Sequence, residues 1–147
     1  MPHIDVTSKL IGLVPLDKHD HEAARRAIAA GYPAIEPVLP RLLERMQDMN
    51  WPVAQTMEPF LASMGEPLIP HLTRIFESDD KIWKAWMVSR IVNDSLSLAI
   101  HFKDVLRELA SKENKDGDDE WVAENAQRVL DKYGFNDQSI YRSRSGI

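Results

Sequence analysis

Two apolar blocks with the same opening dominate the chain between Glu36 and Val92. Glu36-Pro37-Val38-Leu39-Pro40 returns thirty residues later as Glu66-Pro67-Leu68-Ile69-Pro70. Behind the first opening, Leu39, Leu42, Leu43 and Met46 form a stripe at helical spacing, with Arg41, Glu44, Arg45 and Gln47 between them. Behind the second, Leu68, Ile69, Leu72, Ile75 and Phe76 do the same. Proline suits each start, because the first residue of a helix has no hydrogen bond for its missing N–H to lose. Each block then carries an Asp-x-x-Trp step, Asp48 to Trp51 and Asp80 to Trp83, ahead of a second apolar segment. A third step, Asp118 to Trp121, lacks the Glu-Pro opening. Repetition over such a period predicts stacked helix pairs.

The second segments differ. Val53, Met57, Phe60, Leu61 and Met64 give one buried face, and Pro59 inside it predicts a kink over 55–59. From Ile82 to Val92 the apolar residues run almost all the way round, which predicts a helix buried on every side and central to the fold. The three aspartates, or Asn50 in the first step, are expected to cap the second helices by accepting unpaired first-turn N–H groups.

Around this centre the pattern is looser. Residues 1–16 read as an extended N-terminal arm laid on the first helices. A helix capped by Asp17 or Asp20 runs through Ala23, Ala24, Ala27 and Ile28 and stops at Gly31. After Asn93-Asp94-Ser95, one helix is expected to carry Leu98, Ala99, Phe102, Val105, Leu106 and Leu109. Lys112 to Glu120 reads as a charged loop loosened by Gly117. A last helix uses Val122, Ala126, Val129, Leu130 and Tyr133 and ends at Gly134, leaving 135–147 as a polar tail. The expectation is an all-α fold: one domain over 17–134, about seven helices, most of them paired antiparallel.

Helix, short turn, Asp near the second helix start and a large apolar residue three positions on resembles a HEAT-like repeat, closely over 36–92 and loosely over 95–133. More narrowly, Leu13-Val14-Pro15-Leu16-Asp17-Lys18, the run Gln47 to Gln55, Gly65-Glu66-Pro67-Leu68-Ile69-Pro70-His71 and Ser78 to Lys84 are similar to a small bacterial family catalogued as domain of unknown function 5071. That resemblance spans about residues 13 to 130. It implies the helical fold and brings no activity with it.

Length and composition narrow the function classes. At 147 residues, folding buries roughly 68–70% of the unfolded chain's surface, enough for a core without staples. The chain has no cysteine, which excludes disulfides and thiolate metal sites and suits a reducing, cytoplasmic setting. No apolar run reaches the roughly 20 residues of a membrane span. The formal net charge of −5, without a basic stretch, argues against nucleic acid as a partner. A basic protein partner matches it better.

Candidate chemistry is sparse. His19 and His21 flank Asp20, but on a helix they lie about 200° apart and do not converge on one ion. Asp79-Asp80 and the acidic cluster at 113–120 lack the calcium-loop order, and no nucleophile elbow or phosphate-cradling glycine loop is present. The reading is therefore no catalytic, cofactor or metal site. What stands out is the polar surface of the second helices: Gln55, Glu58, Lys84, Arg90, Asn125 and Arg128. Trp51, Trp83 and Trp121 are either spacers between repeats or an aromatic ladder along that surface. Arg90 interrupts the most apolar helix, and a buried pair with Glu58 or Asp94 would satisfy it. Together these features predict a protein- or peptide-binding module, toxin-immunity or regulatory in kind. The alternative is a HEAT-like nucleic-acid-binding or base-repair protein, which the acidic charge opposes.

Overall fold

The structure, a computed structural model, describes residues 10–111 and 117–135. They hold eight α-helices and no strand: α1 His21–Ala30, α2 Leu39–Glu44, α3 Pro52–Met64, α4 Ile69–Phe76, α5 Lys81–Arg90, α6 Leu96–His101, α7 Lys103–Ser111 and α8 Gly117–Tyr133. Among the described residues, no helix is long and apolar enough to cross a membrane.

The repeated openings fold alike. Glu36–Val38 and Glu66–Leu68 each make one 3-10 turn before α2 and α4 begin. Its closing bonds run from Leu39 N–H to Glu36 O and from Ile69 N–H to Glu66 O. Pro40 and Pro70 explain the turn. Neither has an N–H to return to the glutamate carbonyl four residues back, so the tighter three-residue bond takes that acceptor first.

The capping expectation holds at one aspartate of three. Asp80 caps α5, accepting the Trp83 amide at 2.9 Å. Asp48 instead accepts from Asn50 in a local turn at 2.9 Å, and Trp51 is the residue at the α3 cap position. Asp118 lies inside the first turn of α8, so Gly117 to Glu120 are helical rather than loop. Three acidic side chains there favour the positive end of the helix dipole, which the reading of a charged loop overlooked. The rest of that loop, 112–116, lies outside the described residues.

Two further expectations change. The helix read over Leu98–Leu109 is two, because the chain bends at Phe102, with φ −93° and ψ 14°. Phe102 is buried, and its ring meets Phe76 edge-on at 5.0 Å. α5 is not buried on every side: Ala85, Met87 and Val88 face the core, whereas Ile82 is 45% exposed and Arg90 lies in solvent. α3 runs from Pro52 to Met64 without interruption, with the exposed Pro59 inside it.

The core is continuous from Val14 to Leu130 and includes fully buried Leu39, Leu42, Leu61, Leu68, Leu72 and Met87. Each such side chain contributes on the order of 1.5–3 kcal/mol through burial. The described end of the N-terminal arm is a helical turn at Leu10–Val14, fastened by side chains rather than extended. Arg26 donates to Gly12 O at 3.1 and 2.9 Å, and Arg45 to Pro15 O at 2.7 Å. At the other end, Phe135 belongs to the fold, not to the tail. Its amide returns to Leu130 O at 2.7 Å and its ring stacks on Tyr133 at 5.9 Å. Residues 1–9 and 136–147 lie outside the described residues.

Helix neighbours define the layout. The two most extensive interfaces are α5 with α8 and α7 with α8, and α1 packs on α3. α5 and α8 run parallel. Lys81 at the start of α5 meets Asp119 at the start of α8 at 3.1 Å, while Tyr133 at the end of α8 donates to Asn93 O, just past α5, at 2.6 Å.

Candidate functional site

The α5–α8 seam gathers most of the chemistry on the second helices. Near its start, Trp86 and Trp121 meet edge to face, with centroids 4.8 Å apart and planes at 87°. One turn further along α5, the Arg90 guanidinium lies over the Trp86 ring at 5.4 Å and pairs with Glu58 of α3 at 3.3 Å. On α8, the buried Asn125 donates to Trp121 O at 2.9 Å and accepts from Arg128 at 2.7 Å. At the far end, Lys132 bonds Asn93 O at 2.7 Å and approaches Asp94 at 3.9 Å. The parallel register set by Lys81–Asp119 and Asp94–Lys132 puts Arg90 and Arg128 at the same level. Both arginines are exposed.

Of the six polar residues read from the sequence, four therefore assemble. Glu58 and Arg90 form one pair, Asn125 and Arg128 another, and the two tryptophans lie beside them. Asn125 is 3% exposed, so it positions Arg128 rather than meeting solvent. Gln55 is exposed and donates to Met49 O at 3.1 Å, one turn before Glu58 on α3. Lys84 is half-buried and sits elsewhere: at about 100° per residue it lies roughly 160° round α5 from Trp86. Arg90 is neither buried nor paired with Asp94. Its partner is Glu58.

The tryptophans take different roles. Trp83 donates its indole N–H to Leu43 O at 3.1 Å, tying α5 to α2. Trp121 meets Trp86, a residue outside the Asp-x-x-Trp steps. Trp51 is half-buried at the start of α3. Sequence reasoning placed Trp86 in the core, so its place in the seam was missed. The available signal was Arg90 four residues on, one helical turn away on the same side.

A second concavity lies beside the first turn of α5, at Trp83. Pro40, Leu43, Glu44, His71, Arg74, Ile75, Ser78 and Trp83 line a cleft of about 160 Å³ between α2, α4 and the first turn of α5. His71 closes it at the level of the first repeat's opening. Its side chain is 10% exposed, its Nε2 lies 3.1 Å from Glu36 Oε1, and its buried Nδ1 has no hydrogen-bond partner among the described residues.

The histidines at the start of α1 separate. Asp20 caps the helix through the Ala23 amide at 3.3 Å and accepts the Leu16 amide at 3.0 Å. Those two backbone bonds, Leu16 first, hold its carboxyl below the usual aspartate value. His21 meets Thr56 Oγ1 at 3.2 Å, and His19 is exposed. Among the described residues, no group of three or more His, Asp or Glu is arranged to hold a metal ion.

Fold and seam define an all-helical protein with a surface cluster of arginine and tryptophan. The chain belongs to the family described as domain of unknown function (DUF5071), whose model matches residues 13–130. Comparison with curated proteins gave no match.

Proposed function

We propose that this chain is a non-catalytic protein-interaction module, a short HEAT-like α-solenoid that receives its partner on the α5–α8 seam. Parallel packing of second helices, as in α5 and α8, is the arrangement such repeats use to build one face. The like-folded openings at Glu36 and Glu66 support the same reading.

The observation that carries the functional half is the state of the two arginines. Arg and Trp dominate interface hot spots, and here both are oriented before any partner arrives. Trp86 and Glu58 hold Arg90, and Asn125 holds Arg128. Orienting a side chain in advance removes about 0.5–1.5 kcal/mol of ordering cost on binding. Among the described residues Arg128 pairs with no carboxylate, and its side chain is exposed. Glu124, one turn earlier on α8, forms no ion pair with it.

The partner is then a protein that presents a carboxylate to the seam. This reverses the expectation from net charge. At physiological ionic strength charges beyond about 8 Å are largely screened, so the local guanidinium outweighs the distant acidic balance.

The test begins with the products of neighbouring genes, assayed for binding by calorimetry. Arg128→Glu and Arg90→Glu should each weaken a binding partner at least about tenfold, as loss of a charge-assisted bond implies. Lys84→Glu, off the seam, should leave binding unchanged. Binding that survives both arginine reversals but fails when Glu113, Asp116 and Glu120 are neutralised would overturn the seam model. Binding of nucleic acid with a steep salt dependence would favour the alternative class.

A further inference from the structure

The cleft between α2, α4 and α5 has walls and a mouth of different character. Leu43, Ile75, Pro40 and the Trp83 ring make an apolar interior, and the Trp83 bond to Leu43 O keeps that wall in place. Glu44 and Arg74, both exposed, stand at the mouth. They are thirty residues apart, the same offset as the two openings, so the repeat brings a carboxylate and a guanidinium to equivalent places on neighbouring helices. Among the described residues neither forms an ion pair or a side-chain hydrogen bond. The cleft therefore offers one free charge of each sign above an apolar floor.

Size limits the occupant. About 160 Å³ is below the roughly 300–1,000 Å³ of sites for drug-sized ligands. It exceeds the roughly 10–15 Å³ that admits one water, so the occupant is a small molecule.

We infer that this cleft binds a small zwitterion with an apolar body, the chemistry of a free aliphatic or aromatic α-amino acid. The apolar side chain enters between Leu43, Ile75 and Trp83. The carboxylate meets Arg74 and the ammonium meets Glu44. His71 closes the cleft, its Nε2 held by Glu36. A peptide C-terminus offers the carboxylate without the ammonium and so satisfies only one of the two charges. This site is separate from the α5–α8 seam, and its test does not depend on a protein partner.

Calorimetric titration of the full chain with leucine, phenylalanine, N-acetylleucine, leucinamide and a leucine-terminated tripeptide separates the contributions. Leucine or phenylalanine should bind saturably and at least about tenfold tighter than N-acetylleucine, leucinamide or the tripeptide. Arg74→Gln should weaken leucine about tenfold or more and leave leucinamide unchanged. Glu44→Gln should weaken leucine likewise and leave N-acetylleucine unchanged. Both positions are exposed, so the variants should melt like wild type. No saturable binding of leucine or phenylalanine overturns the inference. So does tripeptide or N-acetylleucine binding as tight as that of the free amino acid, or leucine binding indifferent to both variants.

Discussion

Asp80 accepts the Trp83 amide and closes the first turn of α5, while Asp118, in the same sequence step, lies inside its helix. The two should respond differently to mutation. Asp80→Ala is expected to cost about 0.5–2 kcal/mol and Asp80→Asn less, because asparagine also caps. Asp118→Ala loses only a dipole interaction, about 0.3–1 kcal/mol. Thermal melting of the three variants measures this, and equal losses at Asp80 and Asp118 would contradict the assigned helix starts. Asp20 adds a pH dependence. Its carboxyl is held below its ordinary value by the Leu16 and Ala23 amides, so it supports folding above the unfolded-state value near pH 4. That support is lost as pH falls through the lower folded-state value. An NMR titration should place the Asp20 midpoint below that of a model aspartate, and Asp20→Asn should flatten the acid limb of stability.

At the scale of elements, α5 is the instructive case. Its apolar residues go round the helix, yet only Ala85, Met87, Val88 and the following Ile91 and Val92 are buried. Composition cannot distinguish a core tryptophan from one half-covered by a neighbouring ring. Trp86 is of the second kind, so Trp86→Ala should cost less than the roughly 3–5 kcal/mol of a fully buried aromatic. Leu72→Ala, at a fully buried position of α4, should be the costlier change at about 2–5 kcal/mol. Chemical denaturation of both variants sets the order, and a greater loss at Trp86 would restore the helix buried all round. Between α3 and the second opening, Gly65 has φ +68°, and a Cβ there would lie 3.1 Å from Ser97 Oγ. Gly65→Ala should therefore cost about 1–3 kcal/mol, since φ +68° with ψ −128° is a backbone that side chains rarely adopt, read as a lowered melting temperature.

For the whole molecule, far-UV circular dichroism should show a strongly helical spectrum with one cooperative melting transition, since a single core runs from Val14 to Leu130. A sheet-rich spectrum would contradict the fold. Helix content, the Glu-Pro openings and the stops at Gly31 and Gly134 were legible in the sequence because each depends on local terms. Those terms are the 3.6-residue period, the absent N–H of proline and the tolerance of glycine for positive φ. The register of α5 against α8 was not legible. It rests on contacts such as Lys81–Asp119 and Tyr133–Asn93, nearly forty residues apart along the chain, and no local periodicity encodes them. The same holds for the bend at Phe102, where neither glycine nor proline marks a break and the ring packs on Phe76. So the sequence by itself determined the helices and most of their ends. Tertiary packing decided that Arg90 turns to Glu58 and Trp86 and that Lys84 leaves the seam. It also left Glu44 and Arg74 facing one cleft, because side-chain surroundings are made by neighbours that are distant in the chain.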